Sequence, residues 1–254
     1  MTKLLKNERA ARLGAVLILL LVWQTVAMLV GQSLLLPTPT KVLVRFFTLW
    51  GEKSFLRTIG KSFLGIAGGF FAGLALGALL AITAGRFKAV ETLLWPFMLT
   101  VKSVPVASFI ILALVWLSSS DLSFFISFLM VLPVIYTNLL NGIKSLSRDL
   151  SEMAEIYRMD FRHRFLYLWL PQMKTYLLTG LSLSLGLAWK AGIAAEVIGI
   201  PAQSIGEALY ESKAYLNTVD LFAWTVVIVL ISFLFEKLVT GIVKSLYRAW
   251  EVRA

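Results

Sequence analysis

Long apolar runs, almost free of charge, decide what this chain can fold into. Ionisable residues gather in a basic leader with Lys3, Lys6, Arg9 and Arg12, in a stretch around 144–174, and at the C-terminus. Hydrocarbon about 30 Å thick needs about 20 helical residues at 1.5 Å each. Six stretches meet that need, near 12–31, 58–84, 91–117, 122–143, 172–198 and 220–243. They are continuous and lack the alternation over about ten residues that marks a membrane β-barrel strand. The chain therefore reads as all-α, a polytopic membrane protein of about six transmembrane helices. Its composition agrees, with 59% hydrophobic and only 15% charged residues.

A basic leader before Leu13 to Gly31 raises the alternative of a cleaved signal peptide. That apolar run is too long for a signal core, and no small-x-small cleavage site precedes the turn Leu36-Pro37-Thr38-Pro39. Residues 1–11 read instead as a cytoplasmic leader, 12–246 as one transmembrane domain and 247–254 as a cytoplasmic tail. An even number of spans puts both termini on one side. With the N-terminus inside, 16 lysines and arginines fall on the cytoplasmic side and five, Lys41, Arg45, Lys53, Arg57 and Lys213, on the outer side. The net charge of +10 is thus a membrane-topology signal, and nucleic acid is not a partner. There is no cysteine, which excludes disulfides, thiolate metal sites and cysteine nucleophiles.

Gly65, Gly69, Gly73 and Gly77 recur every four residues in the second span, continued by Ala81 and Gly85. Such a row forms one helix face that lets a second backbone approach, which matters where packing drives association. Gly180, Ser184, Ala188 and Gly192 repeat the device in the fifth span. Intrachain packing and a subunit interface are both served by such rows, the first being the commoner use. Pro96, Pro105 and Pro133 lie within spans three and four and predict kinks or interruptions.

Lys144 to Lys174 is the one long polar insert, and its pattern predicts two short amphipathic helices. Asp149 with Glu152 three residues on has capping-box spacing, opening a helix through Tyr157. After a turn at Arg158-Met159, Asp160 is placed to cap a second helix. That helix carries Phe161, Phe165, Leu168 and Trp169 on its apolar side and ends at Leu170-Pro171. Physics alone makes this a helical hairpin, 148–171, at the membrane surface, with a lipid anchor as the plain alternative.

The same residues resemble a known motif. Glu152-Met153-Ala154, three residues, Arg158, nine residues, then Leu168-Trp169-Leu170-Pro171 is similar to the E-A-A, x3, G, x9, I-x-L-P loop of ABC importer permeases. Arg158 replaces the glycine that would supply a left-handed turn. Leu36-Pro37-Thr38-Pro39, Lys102-Ser103-Val104-Pro105-Val106-Ala107 and Ala188-Trp189-Lys190 through Ala195-Glu196 resemble the nitrate, sulfonate, taurine and bicarbonate branch of that family.

The resemblance implies the type I importer permease (MetI-like) fold in a bacterial inner membrane, with a non-catalytic role. It also implies a coupling site for an ATPase subunit at Glu152, Met153, Ala154, Tyr157, Arg158, Asp160, Leu168, Leu170 and Pro171. The implied partners are a second copy of the permease as a homodimer, two ATP-binding cassette subunits and an extracytoplasmic substrate-binding protein. ATP and Mg would be used by the partner ATPase, since the chain has no G-x-x-x-x-G-K loop to cradle phosphates. The cargo would be a small anion such as nitrate, sulfonate or taurine, or an aromatic vitamin precursor.

Lys102, Lys190 and Glu196 fall within spans, where a charge facing lipid is costly, and are the translocation-pathway candidates. Two lysines would make a cationic lining; the alternative is snorkelling or satisfaction of broken-helix carbonyls. The segment from Gly199 to Asp220 is expected to face the binding protein or shape the gate, with a solvated connector as the plain alternative. His163 is the single histidine, on the polar side of the hairpin with no second ligand near it, so no metal site is expected. An intramembrane enzyme would need more than Glu196, and a channel or secondary transporter would not explain the hairpin.

Overall fold

The computed structural model describes residues 2–251, and every regular element among them is a helix. The first, α1 (Thr2–Val30), ends at Gly31 in the left-handed region. A short helix α2 (Pro39–Leu49) follows the turn, with Thr38 as N-cap and Pro39 at the first helical position, where its missing N–H is no loss. The long α3 (Phe55–Arg86) leads to α4 (Lys88–Ser103), α5 (Val106–Ala113) and α6 (Leu122–Lys144). Then come α7 (Arg148–Ile156), α8 (Phe161–Arg164), α9 (Leu170–Gly199), α10 (Ile205–Ala214) and α11 (Thr218–Glu251).

Among the described residues α3, α6, α9 and α11 are long and apolar enough to cross a membrane. The pair α4 and α5, bent by 101° at its break, makes a fifth if the two together form one broken span, and Gly14–Val30 of α1 is a shorter apolar helix, so four to five spans stand beside the six expected. The break falls at Val104-Pro105, where both residues are extended because the proline ring disfavours a helical residue before it. Pro96 and Pro133, by contrast, lie inside continuous helices, so of the three prolines only Pro105 marks an interruption. Neighbouring groups in a bundle tolerate the lost N–H at such positions.

The centre of the bundle is α6, packed against α3 on one side and α9 on the other. Helices α3 and α6 run parallel, so the row of glycines meets α6 turn by turn. Gly65 abuts Ser123, Gly69 the Phe124 carbonyl, Gly73 the Phe128 carbonyl and Gly77 the Leu132 carbonyl. A methyl group on Gly73 or Gly77 would stand 2.9 Å from those oxygens, too close for any side chain. The row is thus an intrachain packing face. Helix α9 runs antiparallel to α6 and uses the second small-residue row. Gly180 meets Asn138, Gly192 meets Ser127 and Ile66, and the Ser127 hydroxyl donates to the Ala188 carbonyl at 3.0 Å.

The alanine variant of Gly69 would drive its methyl into the Phe124 carbonyl and to 2.9 Å from Ser127 Cβ. We expect G69A to lose about 1–3 kcal/mol of stability, read as a lower unfolding temperature in mild detergent. G241A, with nothing within 4 Å of the added carbon, should stay at or above the wild-type value.

Candidate functional site

The charged insert folds into a handle that projects from the end of α6. Helix α7 is capped by Ser147, whose hydroxyl accepts from Leu150 N at 3.4 Å; the expected cap, Asp149, lies inside the first turn instead. An extended Ser147 backbone places its oxygen over the free N–H groups, a position Asp149 does not occupy. The helix ends in a Schellman motif. Met159 N donates to Ala154 O at 2.9 Å and Arg158 N to Glu155 O at 3.0 Å, with Arg158 at φ 50°. Arginine thus adopts the left-handed conformation that the motif glycine would supply.

The return arm corrects a second expectation. Leu170-Pro171 does not end a helix: α8 passes through one π-helical turn, Phe165–Trp169, directly into α9. Leu170 N donates to Phe165 O, five residues back. The widened turn spares Pro171 the clash and the missing hydrogen bond that a regular helix would impose. One arm of the handle is therefore the extended fifth span itself, and only α7 is a separate short helix.

Several contacts hold the two arms together. Gln172, fixed on its own arm by donating to Leu168 O at 3.1 Å, accepts from Ser147 N of the other arm at 3.1 Å, while Arg164 lies 3.7 Å from Glu155 across the turn. Ala154 is fully buried on the inner side of α7. Glu152 and Met153 are exposed, and Ile156 and Tyr157 project furthest, at 79% and 75% exposure. Leu168, Leu170 and Pro171 are half-buried at the root of the arm. Tyr247 of α11 donates to Leu170 O at 3.4 Å and Tyr167 packs against Trp250, so α11 braces the same root. Asp160 accepts from His163 N at 3.2 Å and contacts His163 Nδ1, whose ring stacks on Tyr167. The hydrogen bond from His163 holds the Asp160 carboxyl below the usual carboxylate range.

A different arrangement occupies the opposite end. Glu196 is 1% exposed near the end of α9, and its Oε2 accepts from Ser62 Oγ at 2.7 Å and Gly206 N at 3.2 Å. Ser62 Oγ in turn accepts from Ile205 N at 2.9 Å. Glu196 and Ser62 thus each accept one of the first N–H groups of α10 and together tie it to α3, at a helix end whose dipole favours negative charge. The connector bends sharply through Ile200 at φ 47° and Gln203 at φ 59°, and Lys61 Nζ donates to Ala202 O. Nearby, Arg45 of α2 clamps Asp220 of α11, with Nη2 to Oδ2 at 2.9 Å, and meets Glu52 at 2.8 Å. Hydrogen bonding to Asp220 raises the guanidinium pKa above its ordinary value. These groups border an open cavity of about 290 Å³ that Glu207 and Glu211 also line.

The other two pathway candidates, Lys102 and Lys190, are exposed and lie apart. Lys102, in the last turn of α4, donates to Thr137 Oγ1 on α6, whereas Lys190 projects from α9. Sequence reasoning missed Ser62, Gln172, Arg45 and Asp220, because their partners lie between 25 and 175 residues away. A polar residue beside a row of small ones, as Ser62 is beside Gly65 and Gly69, was the available signal for the first.

A helical membrane bundle with a braced handle at one end and a pinned helix at the other defines a transport subunit. Residues 73–252 match the binding-protein-dependent transport system inner membrane component family, and the chain belongs to it, as a permease of the nitrate, sulfonate, taurine and bicarbonate branch. It is 26% identical to the taurine transport system permease protein of Escherichia coli K12 over 91% of this chain and 86% of that protein. It is 26% identical to the putative aliphatic sulfonates transport permease protein of Bacillus subtilis 168, over 91% and 84%. With the formylaminopyrimidine transport permease protein of Halalkalibacterium halodurans it shares 26% over 72% and 73%.

Two outcomes are expected. R158G relieves about 1 kcal/mol of left-handed strain, so hydrogen exchange at Tyr157 to Met159 should slow about fivefold. E196L strands the Gly206 N–H and the Ser62 hydroxyl and should cost about 1–3 kcal/mol, seen as a lower unfolding temperature with faster exchange in 205–208. E196Q, which still accepts both bonds, should lose less.

Proposed function

We propose that this chain is half of the translocation pathway of an ATP-driven importer, a single transmembrane domain over 12–246 paired with a second copy. The handle faces the cytoplasm, where 16 of the 24 lysines and arginines lie on this topology. The observation that carries the reading is α7, whose exposed Met153, Ile156 and Tyr157 form an apolar tip on a helix locked to α9. A tip of this kind is matched to the groove of a soluble subunit, and its Glu152, Arg158 and Asp160 offer charges around the rim. Attachment to both α6 and α9 lets closure of an ATPase move the bundle as a two-state element. The chain itself carries no chemistry; ATP and Mg belong to the partner.

At the outer end α10 and its strained connector shape the pathway mouth and meet a solute-binding protein. Glu196 holds this element in place, while Lys102 and Lys190 give the pathway a cationic lining. The cargo is a small solute of the sulfonate or taurine kind, in keeping with the relatives' named solutes.

Purification of the native complex in mild detergent, with mass spectrometry of its proteins, tests the reading. The wild-type chain should bring down an ATP-binding cassette subunit that crosslinks to residues 150–157. Charge in the apolar tip, as in I156D or Y157D, should lower its recovery at least tenfold. A chain that emerges without an ATPase and conducts solute unaided would instead be a channel or secondary transporter.

A further inference from the structure

A second cavity, of about 260 Å³, opens between α4 and α6 toward the handle end of the bundle. Lys102 and Lys144 contribute two positive charges to its lining and Glu91 one negative charge. Glu91 is already engaged by Lys144 at the mouth. The Lys102 ammonium has only the neutral Thr137 hydroxyl, at 2.5 Å, among the described residues. Thr137 sits seven residues before Lys144, about 10 Å deeper along α6. The cavity therefore holds one uncompensated cation inside the hydrocarbon zone, an arrangement that is costly unless an anion or water meets it.

A second observation is independent of charge. Tyr136, 5% exposed, lines the same cavity, and its hydroxyl makes no hydrogen bond among the described residues. Asn141 beside it likewise has no side-chain partner among them. The residue is buried but its hydroxyl is not sealed off from the cavity, so the lining offers a cation and two neutral donors to whatever enters. Trp95, Met98 and Leu99 form an apolar wall opposite. The volume lies just under the range of about 300–1,000 Å³ that suits drug-sized ligands, which selects a smaller solute.

We propose that this cavity is a binding site for a compact anionic head group, sulfonate-like or phosphate-like, on a small apolar body, with Lys102 taking its charge. Tyr136 and Asn141 donate to its oxygens and Trp95 covers its apolar part. This rests on the importer reading for its purpose, a resting place for cargo within the membrane, but not for its chemistry. Two sources supply such a head group: a free solute, or an anionic lipid of the adjacent leaflet.

The test uses the full chain, purified in neutral micelles and in nanodiscs of zwitterionic lipid with or without phosphatidylglycerol. Trifluoromethanesulfonate binding is followed by fluorine NMR, and retained lipid by native mass spectrometry. The sulfonate should bind the wild type; K102Q should weaken it at least tenfold and Y136F about threefold. K102R and the distant K53Q should bind like the wild type, and choline should not bind. Binding unaffected by phosphatidylglycerol identifies a solute site. Displacement by it, with K102-dependent lipid retention, identifies a lipid head-group site of the same chemistry. Failure of both the sulfonate and the lipid to show any dependence on Lys102, or an equal loss in K53Q, overturns the proposal. Because no ATPase takes part, that failure would leave the importer reading intact, and loss of the ATPase partner would leave this site intact.

Discussion

The rest of the structure depends on how closely three backbones approach one another at α6. In lipid there is no hydrophobic gain in pressing one apolar helix on another, so association comes from packing and hydrogen bonds. The glycines of α3 put its backbone against the carbonyls of Phe124, Phe128 and Leu132, and from the opposite side Gly180 and Gly192 of α9 sit against the side chains of Asn138 and Ser127. Ser127 then closes the contact by bonding to Ala188. A column built this way has little freedom to shear, because each turn of one helix is notched into a turn of the next.

The ends of that column carry the two unusual sites. Helix α9 starts at the root of the handle and, 30 residues on, finishes beside the carboxylate that pins α10. At 1.5 Å per residue it is a rod about 45 Å long, joining the α7 handle to the opposite mouth. The π-turn at its start is what makes the joint continuous: a helix that stopped at Pro171 would leave a hinge between handle and rod. With the turn widened instead, the arm and the span share one axis, and Tyr247 and Trp250 of α11 brace them.

How much of this could be read from the sequence depended on the range of the interaction. Helices, their rough limits and the glycine row follow from local pattern, since the period of the row and the length of the apolar runs are properties of neighbouring residues. The handle was legible through its motif spacing. Local rules erred where a competing partner lay outside their window. Ser147 displaced Asp149 as cap because its backbone is extended and also reaches Gln172, and Pro171 failed to stop its helix because a π-turn absorbed it. Glu196 could be singled out as a charge in a span, but its partner Ser62 lies 134 residues away and became visible only in three dimensions.

The left-handed residues show where the chain accepts strain. Arg158 closes α7, Ile200 and Gln203 bend the connector before α10, and Leu216 closes α10 in the same Schellman geometry, with Asn217 N bonded to Ser212 O at 2.8 Å. None is glycine, and a β-branched residue such as Ile200 resists this conformation most. Arg158, Gln203 and Leu216 flank the short helices α7 and α10, and Ile200 caps the end of α9; none lies inside a helix of the column. Strain of this sort persists only where surroundings over-determine it, and here the surroundings are the Glu196 and Ser62 bonds at one end and the Gln172 bridge at the other. The column is held by unstrained close packing and its attachments by bonded, strained turns, so the attachments are the parts that can release.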